Sequence, residues 1–211
     1  MSNRRAFLVL AGAFLPFVLT NPAAAQAAGA QTAGDRVAGD RAVAFIKLTG
    51  DRILAGMRVA GTVDERRRAL GPIIDNAIDV DGIAKFCLGR FWRTATPDQQ
   101  KRYTALFHQV LIGNITSRLG EYQEVKLTIG RSQPRDENDI VSSVIERPNN
   151  PPTTVEWLVA NATSAPKVID VIAENTSLRQ TQRNDYAAYL TRNNSDVDAL
   201  ITAMRAQLDQ N

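Results

Sequence analysis

The chain has 211 residues, with 25 lysines and arginines against 22 aspartates and glutamates, and it contains one cysteine and one histidine. A single cysteine excludes an internal disulfide, and the CxxC, HExxH and GxSxG motifs of common zinc and serine-hydrolase sites are absent. The longest basic run, Arg66 to Arg68, falls short of the basic stripe that nucleic-acid binding requires. We therefore predict no nucleic-acid partner, no metal and no cofactor.

The first 25 residues have the three parts of an export signal. "MSNRR" is a positively charged start, an apolar run follows, and "NPAAAQA" offers small residues for cleavage. We predict a signal peptide over residues 1–25, cleaved after Ala25 and exported by the Sec or the twin-arginine route. A retained membrane anchor is the alternative, although the run is short for a span and contains Pro16. Cleavage removes Arg4 and Arg5 and no acid, so the mature chain carries a net charge of +1.

The segment that follows the signal changes from small polar residues to helical periodicity. Residues 26–36 are predicted to be disordered, and residues 37–211 to form a single domain. Apolar residues at helical spacing begin at Val37 and predict a first helix, and a second is predicted over residues 64–78, where Pro72 is expected to kink or split it. "VDGIAKFCLGR" predicts a short third helix that ends at Gly89.

The clearest local signal is "TPDQ" at residues 96–99. Thr96 is a helix-capping residue, Pro97 suits the first turn, and Gln99 completes a capping box. A long helix is predicted from there to about Tyr122. Its apolar residues in "TALFHQVLIGNITSRL" scatter around most of the helix circumference, whereas a helix packed on one side of a core needs a single apolar face. Something has to cover the remaining apolar surface.

The second half of the chain alternates with the period of β-strands. "EVKLTIG", "DIVSSVIERP", "TTVEWLVAN" and "PKVIDVIAE" predict four strands, and their short connections predict an antiparallel order. Two further helices are predicted at about residues 177–193 and 195–209. The fold class is therefore α+β: N-terminal helices, a four-stranded antiparallel curved sheet and C-terminal helices.

Few side chains suggest catalytic chemistry. Cys87 lies among apolar neighbours and is predicted to be a small buried hydrophobe. His108 is placed on the flank of the long helix as a hydrogen-bonding residue. Asp170 interrupts an apolar strand, and a buried carboxylate needs a partner, which Arg179 or Arg183 would supply. A structural ion pair and a general base both remain open for Asp170.

Two stretches resemble a known family. "LGRFWRTATPDQQKRYTALFHQVL" is similar to the central region of the MlaC/Ttg2 family of toluene-tolerance proteins, and "IDVIAENTSLRQTQRNDYAAYL" is similar to its C-terminal block. The order and spacing of the blocks also agree, so the resemblance covers roughly Arg41 to Leu208. "TQRNDYAAYL" is most similar to the hopanoid-associated, HpnM-like branch. The sequence departs from the family pattern at Ile115, at Pro166, and around Asn175 and Thr176.

The resemblance implies a periplasmic lipid carrier that is not an enzyme. Such a protein takes the acyl tails of a phospholipid, or of a hopanoid-type lipid, into an apolar cavity between helices and sheet. It passes lipid between an outer-membrane lipoprotein complex and an inner-membrane ABC transporter with an MCE-domain protein, and we expect a monomer. The predicted lipid-binding residues are Phe91, Trp92, Tyr103, Phe107, Leu111, Ile115, Leu119, Val144 and Trp157. Among them, Phe107, Leu111 and Ile115 form one wall, and Val144 and Trp157 are placed opposite.

Three other interpretations stay open. An isomerase or dehydratase would need a polar residue deep in an apolar pocket, and Asp170, Tyr103 and His108 are the candidates. A chaperone-like binder of proteins predicts an exposed groove. An ordinary core also explains a central helix that is apolar all round.

Overall fold

The computed structural model describes residues 32–59, 61–119 and 125–208. The predicted signal peptide and its cleavage site lie outside these residues. Thr32–Asn211 forms one compact unit. Its elements are α1 Ala33–Val59, α2 Val63–Ala77, α3 Val80–Leu88, a 3₁₀ turn Gly89–Arg93, α4 Pro97–Leu119, β1 Lys126–Arg135, β2 Asn138–Glu146, β3 Thr153–Ala160, β4 Lys167–Ala173, β5 Thr176–Ser177, α5 Leu178–Arg192 and α6 Val197–Leu208. The α+β class and the order of helices, sheet and helices are confirmed.

The first two helices differ from the sequence prediction in two respects. α1 begins at Ala33, so the last residues of the predicted disordered segment are helical. Thr32 explains this start, because its hydroxyl accepts from the amide of Asp35 at 3.2 Å and caps the first turn. Pro72 lies inside α2 without splitting it. The buried residues Leu70 and Ile74 pack on both sides of Pro72, and this packing outweighs the lost hydrogen bond.

The caps of α3 and α4 follow the sequence. The carboxylate of Asp79 accepts from the amide of Gly82 at 3.0 Å at the start of α3. Gly89 ends α3 with a φ of 58°, a conformation that favours glycine. The predicted capping box of α4 is present, since the amide of Gln99 donates to the Thr96 hydroxyl at 3.2 Å and the Gln99 side chain accepts from the Thr96 amide at 2.9 Å.

The sheet is an antiparallel meander in the order β1-β2-β3-β4-β5. It has five strands and not the predicted four. The fifth is the dipeptide Thr176–Ser177, which pairs with Ile172 and Ala173 just before α5. Two residues are too short to show an alternating pattern, so sequence periodicity could not detect this strand.

Apolar side chains of the described residues gather in three clusters. The helical cluster lies among α3, α4, α5 and α6 and includes Tyr103 and Phe107. The sheet cluster joins α1 to the sheet through Ala42, Ile46, Val141 and Val159. The hairpin cluster joins α1, α2 and α4 around Leu70, Ile74 and Ile112. The protein therefore packs its helices mainly on one another at one side and on the sheet at the other.

Candidate apolar binding site

One face of the sheet carries a tryptophan whose polar atom is already satisfied. Trp157 in β3 pairs with Val141 in β2 and Val171 in β4, so the three side chains share the face that α1 covers. The indole N–H donates to the Ser143 hydroxyl at 2.8 Å, and that hydroxyl donates to the carbonyl of Val155 at 3.0 Å. The partly buried ring therefore presents hydrocarbon without an unused donor.

The hairpin cluster supplies further apolar surface that protein does not fully cover. Ile53 and Met57 of α1, Ile73 of α2 and Ile115 of α4 pack against this cluster, but each remains partly exposed. The residues of the cluster and its partly buried neighbours on α1, α2 and α4 are all apolar, and the Arg67 guanidinium lies near Gly113 at its border. Four aliphatic side chains from three helices thus share one region that is neither closed core nor ordinary polar surface.

Ile78 marks the place where all three clusters meet. This partly buried side chain packs against the helical, sheet and hairpin clusters. The backbone holds it there, because Ile78 forms a parallel bridge with Val168 and the amide of Asp79 donates to the Val168 carbonyl at 3.0 Å. We call six partly buried residues the apolar seam. They are Ile53, Met57, Ile73 and Ile115 at the hairpin cluster, Trp157 at the sheet cluster, and Ile78, which packs on both clusters.

The buried hydroxyls of the same region make hydrogen bonds within the protein. Thr116 is fully buried beside Ile115, and its hydroxyl donates to the carbonyl of Ile112 at 2.8 Å and lies 3.2 Å from that of Gly113. Ser143 is bonded to Trp157 and to Val155 as described above. A ligand at the seam therefore meets methyl, methylene and ring surface, which suits a hydrocarbon chain better than a polar substrate.

The structure places most of the sequence-predicted lipid-binding residues in the helical cluster. Phe91, Tyr103 and Phe107 are buried there, and Trp92 and Leu111 are partly buried against it. The ring centroids of Tyr103 and Phe107 lie 5.9 Å apart, and the Tyr103 hydroxyl donates to the carbonyl of Ala84 at 2.9 Å. Burial raises the pKa of the Tyr103 hydroxyl above its ordinary value. The contacts of these residues are those of a packed core.

The remaining four predicted residues are divided among other places. Ile115 and Trp157 belong to the apolar seam. Val144 pairs with Thr154 and Thr128, which puts it on the sheet face opposite Trp157. The expectation that Val144 and Trp157 form one wall is therefore wrong. Trp157 pairs with Val141, which is three residues before Val144 in β2, and successive side chains of a strand point to opposite faces of the sheet. Leu119 ends α4, and its side chain lies outside the described residues. Whether any of the nine contacts lipid stays a prediction.

Each of the three candidates for enzyme chemistry makes contacts within the protein, as described above for Tyr103. Asp170 accepts from the Ser177 hydroxyl at 2.6 Å, from the amides of Val171 at 2.8 Å and Arg179 at 3.2 Å, and pairs with the Arg179 guanidinium at 3.4 Å. This carboxylate is 5% exposed and lies opposite Leu158, away from the Trp157 face. The ion pair expected for Asp170 is therefore present, and its partner is Arg179. His108 contacts Asp75 at 2.7 Å on the protein surface.

Cys87 is buried, as the sequence predicts. Its thiol lies 3.5 Å from the carbonyl of Arg179. Burial raises the pKa of Cys87 to about 12, so the thiol stays protonated at neutral pH and is a poor nucleophile.

The described part of the chain shows neither a metal-ion cluster nor a membrane-spanning helix. No group of three or more histidine, cysteine or acidic side chains there is arranged to hold a metal ion. No helix within residues 32–59, 61–119 and 125–208 is long and apolar enough to cross a membrane.

Sequence reasoning missed Ile53, Met57, Ile73 and Ile78 as site residues. Their spacing did place the first three on the inward faces of α1 and α2. Inward-facing aliphatic residues usually belong to a closed core, so the spacing carried no signal that these side chains stay partly exposed. Only the exposure of these side chains in the folded protein shows it.

An open antiparallel sheet packed against helices, with partly buried apolar residues between them, defines the molecule as an α+β protein with an apolar surface suited to hydrocarbon ligands. Within that class, residues 51–206 match the model of the MlaC protein family, and the chain belongs to this family. A curated relative is the toluene tolerance protein ttg2D of Pseudomonas putida, with 27% identity over 140 residues, which are 65% of this chain and 63% of the relative. The match thus spans less than two thirds of that relative's length.

A solved structure has the same fold. It is the phospholipid-binding protein from Ralstonia solanacearum, determined in complex with a phospholipid. The two chains superpose with a TM-score of 0.71 over 80% of this chain and 97% of the other, at 22% sequence identity. The similarity establishes that the arrangement of helices and sheet is shared.

Proposed function

We propose that this protein binds the acyl tails of a phospholipid along the apolar seam and carries the lipid through water. The observation that carries the proposal is the seam itself: six apolar residues from three helices, the α2–α3 junction and the sheet remain only partly buried. Membership of the MlaC family and the phospholipid in the structure of the Ralstonia protein support it.

The energetics of an exposed acyl chain explain why such a surface is needed. Each methylene group moved from a membrane into water costs about 0.8 kcal/mol, so a tail needs an apolar cover to travel. The seam residues have the converse difficulty, since aliphatic side chains left partly in water forgo part of their burial energy. When an acyl tail binds at the seam, both apolar surfaces are removed from water, and no specific hydrogen bond is required.

The location and partners proposed for this activity rest on the sequence. The export signal over residues 1–25 supports a periplasmic protein. The resemblance to the family supports exchange of lipid between an outer-membrane lipoprotein complex and an inner-membrane ABC transporter with an MCE-domain protein. The stretch "TQRNDYAAYL" keeps a hopanoid-type lipid as the alternative ligand.

The test is the lipid content of the purified protein. The full chain is expressed with its own signal, isolated from the periplasmic fraction without detergent, and extracted with organic solvent for mass spectrometry. We expect about one phospholipid per protein, and a hopanoid in its place would change the ligand but not the mode of binding. Protein that is folded and free of any lipid would contradict the proposal.

The same preparation tests export. N-terminal sequencing is expected to begin at or near Gln26. A chain that retains Met1 and sediments with membranes would show an anchored protein instead.

A further inference from the structure

A basic surface lies beside the helical cluster, around Phe86 and Trp92, which pack against that cluster. It is formed by five cations from two regions that are distant in sequence: Lys85, Arg90, Arg93, Arg179 and Arg183. We call these five residues the basic face. The first three are exposed, and the two arginines of α5 are partly exposed. The whole chain has only three more cations than acids, so this concentration is a strong local asymmetry.

Aromatic rings hold the basic face together. The guanidinium groups of Arg179 and Arg183 lie 4.5 Å and 4.8 Å from the ring centroid of Phe86. The Arg183 guanidinium also approaches Gly89, where a Cβ atom would stand 3.3 Å away. Gly89 directly precedes Arg90, so the arginines of α5 and those of the 3₁₀ turn form one continuous surface. Stacking on a ring restrains both guanidinium groups, and Arg183 also donates to the Phe86 carbonyl at 3.4 Å.

A second ring extends the surface in the other direction. The Lys85 ammonium lies 5.9 Å from the ring centroid of Trp92, and Arg93 is the next residue along the chain. Trp92 is only partly buried. A tryptophan flanked by lysine and arginine is the composition found where proteins meet the headgroup region of a bilayer.

Most of this charge has no internal counterpart. Among the residues that the structure describes, Arg179 alone of the five forms an ion pair with a carboxylate, the buried Asp170. The other four cations have no carboxylate within 4.0 Å in those same residues. Arg90, Arg93 and Arg183 are therefore not paired with an acid of the described residues. A guanidinium group can donate two parallel hydrogen bonds to the oxygens of one phosphate.

We propose that the basic face docks the protein on the surface of a bilayer that contains anionic phospholipid. The exposed cations Lys85, Arg90 and Arg93 contact lipid phosphates, and Trp92 lies at the level of the headgroups. An acidic protein is the competing kind of partner. The partly exposed tryptophan among the cations favours the bilayer, because an indole ring is stabilised at the boundary between water and hydrocarbon. This inference does not depend on lipid binding at the apolar seam.

Vesicle sedimentation tests the proposal. The full-length mature protein is mixed with vesicles of phosphatidylcholine alone or with about one third phosphatidylglycerol. We expect binding to the anionic vesicles only, weakening as salt is raised because exposed charges are screened. Lipid content at the seam is measured separately, so failure at one surface is distinguished from failure at the other.

Two variants with equal changes in charge locate the contact. The test variant carries Lys85→Glu, Arg90→Glu and Arg93→Glu. The control carries Arg36→Glu, Arg52→Glu and Arg58→Glu, which are exposed cations of α1. At about fivefold per cation, the test variant is expected to lose at least a hundredfold in partition to anionic vesicles, while the control stays much closer to wild type. If the test variant does not fold, Arg90→Gln alone is expected to weaken binding about fivefold.

Three results would overturn the proposal. They are equal binding to neutral and anionic vesicles, equal loss in the test and control variants, and no vesicle binding by the wild-type chain. The last result would leave an acidic protein as the partner of the basic face.

Discussion

The sharpest test of the apolar seam is a carboxylate placed at Ile115. Ile115 is partly exposed at the seam, whereas Ile112, one turn earlier on the same helix, is 8% exposed inside the hairpin cluster. The two positions have the same native side chain and the same helix. Ile115→Asp and Ile112→Asp are therefore matched substitutions that differ in whether the new carboxylate has access to water.

The expected magnitudes follow from that difference. At Ile112 the protein loses a buried isoleucine, worth about 1.5–3 kcal/mol, and gains an unpaired buried charge that costs about 3–5 kcal/mol. This sum is comparable to the total stability of about 5–15 kcal/mol that domains have, so Ile112→Asp is expected to unfold the protein. At Ile115 the empty seam admits water, and we expect a loss of only about 1–2 kcal/mol.

Lipid binding should be lost in the Ile115→Asp variant although its fold is kept. A carboxylate at residue 115 would lose hydration beside an acyl tail, at a cost of at least about 3 kcal/mol. Since about 1.4 kcal/mol is tenfold in affinity, lipid should bind at least about a hundredfold more weakly. The assay pairs a thermal melt with lipid content after purification, and Ile115→Leu is the control that keeps both. A folded Ile115→Asp protein with a normal lipid load would refute the reasoning, and so would one that unfolds as completely as Ile112→Asp.

Three further predictions concern residues away from the seam. A Cys87→Ala, His108→Ala double variant should keep its lipid load, because neither side chain lies at the seam; lipid loss from a folded double variant would restore the enzyme hypothesis. Burial raises the pKa of Cys87 from 9.0 to about 12. Between those pH values unfolding releases the thiol proton, so the free energy of unfolding should fall as pH rises through that window. Urea titrations should show a flatter pH dependence for Cys87→Ala. Arg179→Met leaves the buried Asp170 without its cation and should cost about 3–5 kcal/mol in urea unfolding, and a loss below about 1 kcal/mol would show that the hydrogen bonds of Asp170 suffice.

Local signals in the sequence predicted the elements well. The Thr96 and Gln99 side chains start α4 through contacts three residues apart, and such contacts are readable from sequence because a helix brings those positions together. Alternation likewise predicted the four long strands and their antiparallel order. The exceptions were the split of α2 at Pro72, which was one of the two effects expected there and is not observed, and the two-residue β5.

The candidate site was less predictable than the fold. A helical wheel placed Phe107, Leu111 and Ile115 on one wall of α4. In the structure, Phe107 and Leu111 face the helical cluster while Ile115 faces the hairpin cluster. The wheel gives directions around one axis, but the neighbours that occupy those directions belong to helices far along the chain.

The sequence by itself determined the α+β class, the capped helices, the alternating strands and the surplus of apolar residues on α4, because each depends on residues a few positions apart. Only the tertiary structure decided which apolar residues are closed core and which form the seam. That distinction depends on how closely helices and sheet approach, as at Ile78, where three clusters meet. The basic face is likewise a tertiary property, since α5 brings Arg179 and Arg183 beside Phe86, more than ninety residues earlier in the chain. No short stretch of sequence contains all five cations, so the nearly neutral net charge of the mature chain gave no sign of a basic surface.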